Sequence, residues 1–436
     1  MHTAIGAVES RASRSEREAP RALVASSIGN LMEWYDFAVY GYMAAVLGTL
    51  FFPSGNPGTS LLFSFATFGA AFVVRPLGAV ILGPLGDKIG RRNVLSIAVL
   101  GISAATFCIG LLPTYASLGV AAPILLVLLR LVQGFCAGGE VGGAITYIVE
   151  SAPMSKRGFY ASWIHASAMI GFFLGLSTPM LLTALTSTDA LHAWVWRVPF
   201  LIAGPIGLIG LYIRLQIEET EEFRKLDQAG QVAESPVKEV FTRSWRSMLL
   251  VAGVGIPLHL GYFMILIYVP SYLRSVLHYD ASTVYFAAAT AILVGFLVIP
   301  PAAILSDKIG RKPGMLITAL GFVVATVPLF HMIQGGGTGA FIAMGIFGFM
   351  HGCFTGFCGA AVAEIFATRN RSGGLSIGHN LASIVFGGGT PFLATYLVGL
   401  TGNALVPAYL IVGGCLVSLI PIAAMKDLAG KPLRLV

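Results

Sequence analysis

The largely apolar stretch 24–52 carries four side chains that can exchange protons or form hydrogen bonds. Asn30, Glu33, Asp36 and Tyr40 recur at intervals of three or four residues. Because an α-helix turns by about 100° per residue, these side chains share one helix face about 120° wide. Two carboxylates on such a face predict a wet cavity inside the protein, where one of them binds a proton. A structural ion pair or a helix cap is the alternative interpretation.

A second polar face follows in the stretch 120–149. Arg130, Gln133 and Glu140 lie on one side of a predicted helix, with Arg130 and Glu140 about 15 Å apart along its axis. A cation in such a position can control how readily a nearby carboxylate takes up or releases a proton. The pattern therefore predicts that Arg130 and Glu140 take part in proton coupling.

Arg75 is another cation in an apolar stretch. A guanidinium can bind a substrate carboxylate through two parallel hydrogen bonds. Alternatively, Arg75 pairs with Asp87 or Glu150 to hold helices together. The sequence leaves both interpretations open.

Histidines and one tyrosine complete the candidate site. His165 and His379 occupy corresponding apolar stretches, and Asn380 follows His379 directly. A histidine in a cavity can donate to an anion or take up a proton. Tyr262, with His259 nearby, can offer an aromatic face to a quaternary ammonium. The alternative for each of these residues is a structural donor or a packed core residue.

The composition shows which elements must position these residues. Only 11% of the 436 residues are charged and 56% are hydrophobic, whereas soluble domains carry about 25% charged residues. Apolar runs of at least about 18 residues recur, which is the length that crosses a bilayer. They lack the alternation of polar and apolar residues that barrel strands show. The chain is therefore expected to be an all-α polytopic membrane protein.

Hydropathy predicts twelve transmembrane helices in two six-helix bundles. The predicted spans are 24–52, 61–85, 94–112, 120–149, 160–184, 194–215, 247–272, 284–304, 314–333, 339–366, 374–399 and 405–425. The predicted domains are a cytoplasmic N-terminal tail at 1–23, a first bundle at 24–215, a cytoplasmic linker at 216–246, a second bundle at 247–425 and a cytoplasmic tail at 426–436. Small residues allow close helix packing, which is predicted at the pairs Gly134/Gly138, Gly139/Gly143 and Gly171/Gly175.

The distribution of Lys and Arg predicts the orientation. They concentrate in the N-terminal tail, in alternate loops and in the C-terminal tail, whereas Arg274 is the single one in a predicted outer loop. Because positive charge stays on the cytoplasmic side, both termini are expected there, in a multi-pass protein of the cell (inner) membrane. The net charge of +7 therefore reflects topology and predicts no nucleic-acid partner.

One charged phrase occurs twice. Asp-Lys-Ile-Gly-Arg stands at 87–91 and again at 307–311, after the second predicted span of each bundle. The repeat indicates two halves that descend from one unit. Such a cluster can latch helices together in one conformation and release them in the next. An ordinary turn, with charges that set the topology, is the alternative.

These motifs resemble the major facilitator superfamily. The family signature G-x-x-x-D-[RK]-x-G-R-[RK] is matched in full by Gly83–Arg92, and the second copy departs where Ala303 replaces the first Gly. Arg130, Gln133 and Gly134 fit the family's R-x-x-Q-G motif, whose arginine is associated with proton coupling. The resemblance implies a transport site at mid-membrane between the two bundles.

Further stretches resemble the metabolite:H⁺ symporter branch, whose members carry proline and betaines, citrate, 2-oxoglutarate or shikimate. They are 29–37, 75–78, 138–140, 156–163, 196–200 and 218–220. Stretches 107–113, 269–273 and 425–427 are most similar to the proline/betaine transporters of that branch. The resemblance implies proton-coupled import of a small carboxylate-bearing metabolite, with a proline- or betaine-type zwitterion favoured over a di- or tricarboxylate. A transporter-like nutrient sensor is the alternative of another class.

The residues divide into three predicted groups. Proton coupling is assigned to Glu33, Asp36, Arg130 and Glu140. Substrate binding is assigned to Asn30, Tyr40, Arg75, Gln133, His165, Tyr262, His379 and Asn380. A cytoplasmic gating motif is assigned to Gly83, Asp87, Lys88, Gly90, Arg91, Arg92, Glu150, Arg157, Asp307 and Arg311. The sequence contains no nucleotide-binding, metal-ligand or catalytic constellation, so we expect no cofactor and no enzyme activity. The expected partners are a small-molecule substrate, protons and the lipid bilayer, with the protein monomeric.

Overall fold

The computed structural model describes residues 23, 27–89, 91–215, 244–367 and 371–433. For positions 83, 84, 86–89, 91, 92, 141 and 213–215 it describes the backbone alone. Within these ranges the chain is helical and contains no strand. This confirms the predicted all-α class. Most of the predicted linker, 216–243, and most of the N-terminal tail lie outside the described residues.

Twelve helical segments run through the described ranges, and each falls on a predicted span. They are α1 (27–42 and Ala44–Phe51), α2 (Pro57–Val73 and Arg75–Ile89), α3 (Arg91–Leu111), α4 (Ala121–Ala137 and Glu140–Ser151), α5 (Arg157–Leu185), α6 (Val198–Leu215), α7 (Trp245–Val254, Ile256–Leu260, Gly261–Tyr268 and Val269–Ser275), α8 (Ala281–Ile309), α9 (Lys312–Gln334), α10 (Gly337–Glu364), α11 (Arg371–Ser383, Ile384–Gly388 and Gly389–Thr401) and α12 (Val406–Ala424). The short helices Tyr115–Leu118, Met154–Lys156, Thr188–Ala193 and Val195–Arg197 lie in the connections.

Of the described helices, the eleven that correspond to α2–α12 are long and apolar enough to cross a membrane. The first segment is not among them; it is divided at Met43 and carries the polar residues Asn30, Glu33 and Asp36. The end of the molecule where α1 begins and α12 ends is called the termini side below. Alternate helices reverse direction, so α5 and α11 also begin on the termini side.

Three segments are less regular than the sequence predicted. The fourth is interrupted at Gly138 and Gly139, between its two helical parts. Gly261–Tyr268 of α7 and Ile384–Gly388 of α11 form π-helix, and Gly387 has φ −106° and ψ −106°, outside the helical region. Such interruptions in long helices occur frequently at functional sites.

Close packing of α2 and α4 depends on two of the predicted glycines. A Cβ atom at Gly134 would collide with the carbonyl oxygen of Ala71, and one at Gly138 with the carbonyl oxygen of Arg75. The backbones can approach this closely only because both positions lack a side chain. The contact brings Arg75 and the polar face of α4 together.

The other predicted glycine pairs have mixed outcomes. Gly171 and Gly175 of α5 pack against α1, where added Cβ atoms would meet the carbonyl oxygen of Leu31 and the Cβ of Ala38. This prediction is confirmed. Gly143, in contrast, has no atom of the described chain within 4 Å of an added Cβ, so close packing predicted there is wrong. A four-residue spacing fixes a helix face but not whether another backbone lies against it.

The two bundles meet along one seam. Helix α5 of the first bundle packs against α8 and α10 of the second, and α11 packs against α2 and α4. The buried core is continuous across this seam. Side chains on facing helices therefore come from both bundles and meet in the middle of the molecule.

Candidate functional site

Glu33 and Arg75 form an ion pair inside the first bundle. Arg75 Nη2 donates to Glu33 Oε1, and each residue is only 1% exposed. The guanidinium carbon lies 4.7 Å from the ring centroid of Phe37 and 4.5 Å from that of Phe72. A charge this deep needs a partner of opposite charge. Of the alternatives raised by the sequence, the structural ion pair is the arrangement observed for Glu33.

Arg130 lies beside this pair but is held differently. Its Nη1 donates to Gln133 Oε1 at 2.9 Å and its Nη2 to the carbonyl oxygen of Phe68 at 3.2 Å. The Tyr40 ring centroid lies 4.4 Å from its guanidinium carbon. Gln133 in turn donates to the hydroxyl of Thr106 at 2.5 Å. In the described chain, Arg130 is therefore surrounded by neutral acceptors and rings, with no carboxylate within 4.0 Å.

Asp36 lies in the same cluster without a cation of its own. It is 3% exposed and faces the Thr106 hydroxyl, Arg130 and Glu33. Its Oδ2 has no hydrogen-bond partner among the described residues, and no described basic group lies within 4.0 Å. Protonation of Glu33 would break the ion pair with Arg75, whereas Asp36 can gain or lose a proton without breaking any ion pair.

The structure therefore brings most of the predicted charged and polar residues of the first bundle into one cluster. Glu140 is buried within electrostatic range of Arg75. The cluster, called the charge cluster below, comprises Glu33, Asp36, Tyr40, Arg75, Arg130, Gln133 and Glu140. The functional roles assigned to these residues from the sequence stay predictions.

The two predicted asparagines tie helices together. Asn30 donates to the carbonyl oxygen of Ile164 at 2.7 Å and to the hydroxyl of Ser167 at 3.1 Å, and it accepts from the indole of Trp34 at 3.2 Å. It joins α1 to α5. Asn380 donates to the carbonyl oxygen of Gly138 at 2.8 Å, which joins α11 to the interruption in α4.

Aromatic rings from both bundles meet at the centre of the seam. The Tyr262 ring stacks on Trp34, with ring centroids 4.5 Å apart, and on Phe172 at 5.6 Å. The ring of His351 lies against it at 4.6 Å and an angle of 78°. The Tyr262 hydroxyl lies 3.3 Å from His165 Nδ1. We call these five buried side chains the seam cluster.

Only two members of the seam cluster were predicted from the sequence. Tyr262 and His165 were assigned to substrate binding, whereas Trp34, Phe172 and His351 were missed. Trp34 follows Glu33 directly, but a step of one residue turns its side chain about 100° away from the carboxylate face. Helical periodicity therefore gave no signal for it.

His379 takes a position apart from the seam cluster. Its ring centroid lies 4.6 Å from that of His259, whose Nδ1 lies 2.8 Å from the carbonyl oxygen of Gly255. Both imidazoles are buried, and His379 is within electrostatic range of Arg75. This second pair of rings is within electrostatic range of Arg75 in the charge cluster and of His165 in the seam cluster.

On the termini side, the second copy of the repeated phrase connects the two bundles. Asp307 of α8 accepts hydrogen bonds from the backbone N–H groups of Gly158 and Phe159, at 2.9 and 3.0 Å. These N–H groups belong to the first turn of α5 and have no partner within the helix itself, and a carboxylate is favoured at such a position. Arg311 donates to Asp307 at 2.7 Å and pairs with Glu364 at 3.2 Å.

A second ion pair crosses the seam on the same side. Arg371, at the start of α11, pairs with Glu150, near the end of α4, at 2.5 Å. Of the two partners that the sequence left open for Arg75, Glu150 pairs with Arg371, and the side chain of Asp87 lies outside the described part of the chain. The termini-side latch is defined as Glu150, Asp307, Arg311, Glu364 and Arg371. The predictions included three of these residues and missed Glu364 and Arg371.

Other residues predicted for the gating motif are only partly described. Arg157 donates to the carbonyl oxygen of Lys431 at 2.8 Å, so it contacts the C-terminal segment. The first copy of the phrase lies where side chains are not described. This applies to Gly83, Asp87, Lys88, Arg91 and Arg92, and Gly90 lies outside the described residues altogether.

The bundles also touch on the opposite side of the seam cluster. The rings of Phe65 and Tyr268 have centroids 6.1 Å apart, and a Cβ atom at Gly69 would lie 3.0 Å from the carbonyl oxygen of Gly388. Thr183 and Tyr285 have hydroxyl groups 3.3 Å apart. The bundles therefore contact each other on both sides of the seam cluster, and in this conformation the cluster is buried from both sides.

A sequence model of the Major Facilitator Superfamily matches residues 27–299 and 254–432. The chain belongs to the major facilitator superfamily. The two matched ranges together run from the start of α1 to beyond the end of α12, so the family accounts for both bundles.

Individual relatives agree with this assignment. The chain is 38% identical to the proline/betaine transporter of Salmonella typhimurium over 425 residues, which cover 95% of this chain and 85% of the relative. It is 39% identical to the glycine betaine/proline/ectoine/pipecolic acid transporter OusA of Dickeya dadantii, with 95% and 84% covered. The ectoine/proline transporter ProP of Corynebacterium glutamicum is 33% identical, with 94% and 85% covered.

Solved structures show the same fold. The proton:xylose symporter XylE, bound to 6-bromo-6-deoxy-D-glucose, superimposes with a TM-score of 0.75 at 18% identity, covering 96% of this chain and 98% of XylE. A partially occluded inward-open conformation of XylE from E. coli gives a TM-score of 0.73 at 19% identity, covering 95% and 99%. Membership of this superfamily of membrane transporters excludes the enzyme class, in agreement with the prediction.

Proposed function

We propose that this chain is a proton-coupled secondary transporter that imports a small carboxylate-bearing metabolite, and that the metabolite is a proline- or betaine-type zwitterion. The observation that carries the proposal is the similarity, over 95% of the chain, to a relative named as a proline/betaine transporter. The names of the relatives favour a zwitterion over a di- or tricarboxylate.

The seam cluster supports a substrate site between the bundles. Trp34, Phe172 and His165 belong to the first bundle, whereas Tyr262 and His351 belong to the second. Rocking of the bundles would expose this cluster alternately to each side of the membrane, which is how such folds transport. We assign substrate binding first to Tyr262 and His165, whose ring and imidazole lie on the seam itself.

The charge cluster supports a proton site next to the seam. Unlike Glu33, Asp36 can change its protonation without breaking an ion pair among the described residues, so we assign the coupled proton to it. Arg130, held by neutral groups, supplies a nearby positive charge that helps release the proton when the bundles move. Arg75 is held by Glu33 and is assigned a positioning role, and the substrate-binding roles of Asn30, Gln133, His379 and Asn380 remain hypotheses.

Transport activity tests the proposal directly. Purified protein in liposomes should accumulate labelled proline or glycine betaine when the lumen is alkaline and negative inside. One charge moving through 100 mV provides about 2.3 kcal/mol, enough for roughly fifty-fold accumulation. Citrate and 2-oxoglutarate should not compete. Strong uptake of those anions without uptake of a zwitterion would contradict the proposed substrate, and binding without counterflow would favour a sensor.

We further propose that the termini side faces the cytoplasm of a cell membrane. The support is the concentration of Lys and Arg in the tails and in alternate loops. In a chain without its native cysteines, Ser54→Cys and Thr338→Cys, both exposed on the opposite side, should react with an impermeant thiol reagent in intact cells. Ser235→Cys in the central linker should react only after the cells are opened. Labelling of position 235 in intact cells would contradict this orientation.

A further inference from the structure

His351 is buried in the seam cluster with its hydrogen-bonding capacity unused. It is 1% exposed, and neither Nδ1 nor Nε2 has a hydrogen-bond partner in the described chain. A buried imidazole always carries at least one N–H donor. Leaving such a donor unpaired destabilises the closed, empty conformation. The position therefore suits a ligand group that accepts a hydrogen bond.

The other candidate donors near the seam each have at least one partner, although Nε2 of His165, like both ring nitrogens of His351, has none in the described chain. Arg75 donates to Glu33 inside the first bundle. Nδ1 of His165 lies at hydrogen-bond distance from the Tyr262 hydroxyl, and Nδ1 of His259 from the carbonyl oxygen of Gly255. His351, in the second bundle, is thus a better-placed receptor for an anionic group than Arg75, which would first have to leave its carboxylate.

The neighbours of His351 suit a ligand that carries no net charge. The seam cluster consists of three aromatic rings and two imidazoles, with no carboxylate, Lys or Arg among its members. In this closed conformation the faces of Trp34 and Tyr262 cover each other, with centroids 4.5 Å apart. Because the two rings belong to different bundles, movement of the bundles would open these faces to a quaternary or secondary ammonium. A dicarboxylate would bring two charges into a place that offers no cation to balance them.

We infer that His351 is a specificity-determining residue that donates a hydrogen bond to the carboxylate of a zwitterionic substrate, whose ammonium group lies against Trp34 and Tyr262. The inference rests on the proposed function and adds to it the recognition of each end of the substrate. Because His351 and Trp34 lie in different bundles, a bound zwitterion connects the two bundles.

The test compares two side chains at position 351 and two ligands. His351→Gln keeps an N–H donor, whereas His351→Leu has a similar volume and no donor. Glycine betaine carries a quaternary ammonium and a carboxylate, and choline carries the same ammonium with a hydroxyl instead. His331→Ala, on an imidazole exposed at the far end of α9, is the control.

In proteoliposomes, His351→Leu should raise the KM for glycine betaine about 10- to 100-fold, the loss expected for one hydrogen bond to a charged group. His351→Gln should stay within about threefold of wild type, and weak inhibition by choline should be the same in all variants. Size-exclusion profiles identify any variant that does not fold.

Three results would overturn the inference. An unchanged KM in the folded His351→Leu variant would show that the imidazole does not bind substrate. Equal losses in the Leu and Gln variants would indicate a packing role, and parallel weakening of choline inhibition would show that the carboxylate is not recognised there. If the wild-type protein transports neither proline nor betaine, the proposed function itself is wrong, and this outcome is distinct from the other three.

Discussion

Asp36→Asn is expected to abolish proton-driven accumulation while substrate exchange continues. Asparagine has nearly the same size and fits beside the Thr106 hydroxyl, but it cannot bind or release a proton. Accumulation under an alkaline-inside gradient should fall from roughly fifty-fold to about one-fold. The measurement is paired: uptake driven by an imposed pH gradient, and counterflow without a gradient, in the same liposome preparation.

Glu33→Gln provides an informative contrast. This change removes the partner of the buried Arg75 guanidinium, and an uncompensated charge in the interior costs about 3–5 kcal/mol. We therefore expect Glu33→Gln to lose counterflow and thermal stability along with accumulation. Asp189→Asn, at an exposed loop carboxylate, is the neutral control. If the Asp36→Asn variant still concentrates substrate, the proton is carried elsewhere, and Glu140 and His165 are the next residues to test.

Asp307→Asn is expected to slow transport at least about tenfold with little change in substrate affinity. The carboxylate accepts two backbone N–H groups of α5 and pairs with Arg311, so it stabilises the conformation closed on the termini side. A hydrogen bond to a charged group contributes about 1.5–3 kcal/mol. Losing one would change the equilibrium constant between the open and closed conformations by roughly ten-fold or more. The substrate site lies elsewhere and stays intact.

The rate effect can be separated from a folding defect by a matched control. Asp280→Asn changes another carboxylate at a helix N-terminus, but Asp280 caps its own helix α8 through Thr283 at 2.9 Å and joins no other bundle. Its transport rate should match wild type. Stopped-flow or exchange experiments measure the transport rate. Thiol labelling of a cysteine placed at the seam measures the equilibrium between the conformations open and closed on the termini side. A normal rate in Asp307→Asn, or a KM raised in proportion to the loss of rate, would contradict the latch.

The sequence also predicts that Asp87, in the first copy of the phrase, acts in the same way as Asp307. Its side chain lies outside the described part of the chain, so this expectation depends on the repeat alone. The observed latch gives it a physical basis, because the second copy connects the two bundles.

The sequence by itself determined the architecture and much of the charge cluster. Hydropathy is a local property, so the largely apolar runs predicted the positions of the twelve long helical segments α1 to α12. Helical periodicity is also local, and it correctly grouped Glu33 with Asp36 and Arg130 with Gln133. Gly134 and Gly138 of α4 predicted a close helix contact because only small residues permit one.

Partners across the bundle were decided by the tertiary structure alone. Periodicity gives the face on which a residue lies but not which helix packs against that face. The pairing of Glu33 with Arg75, the connection of Asn30 to α5, and the contact of Glu150 with Arg371 join residues 42 to 221 positions apart. For the same reason Trp34, Phe172 and His351 looked like ordinary core residues. Their shared contact with Tyr262 exists only because the two bundles pack along one seam.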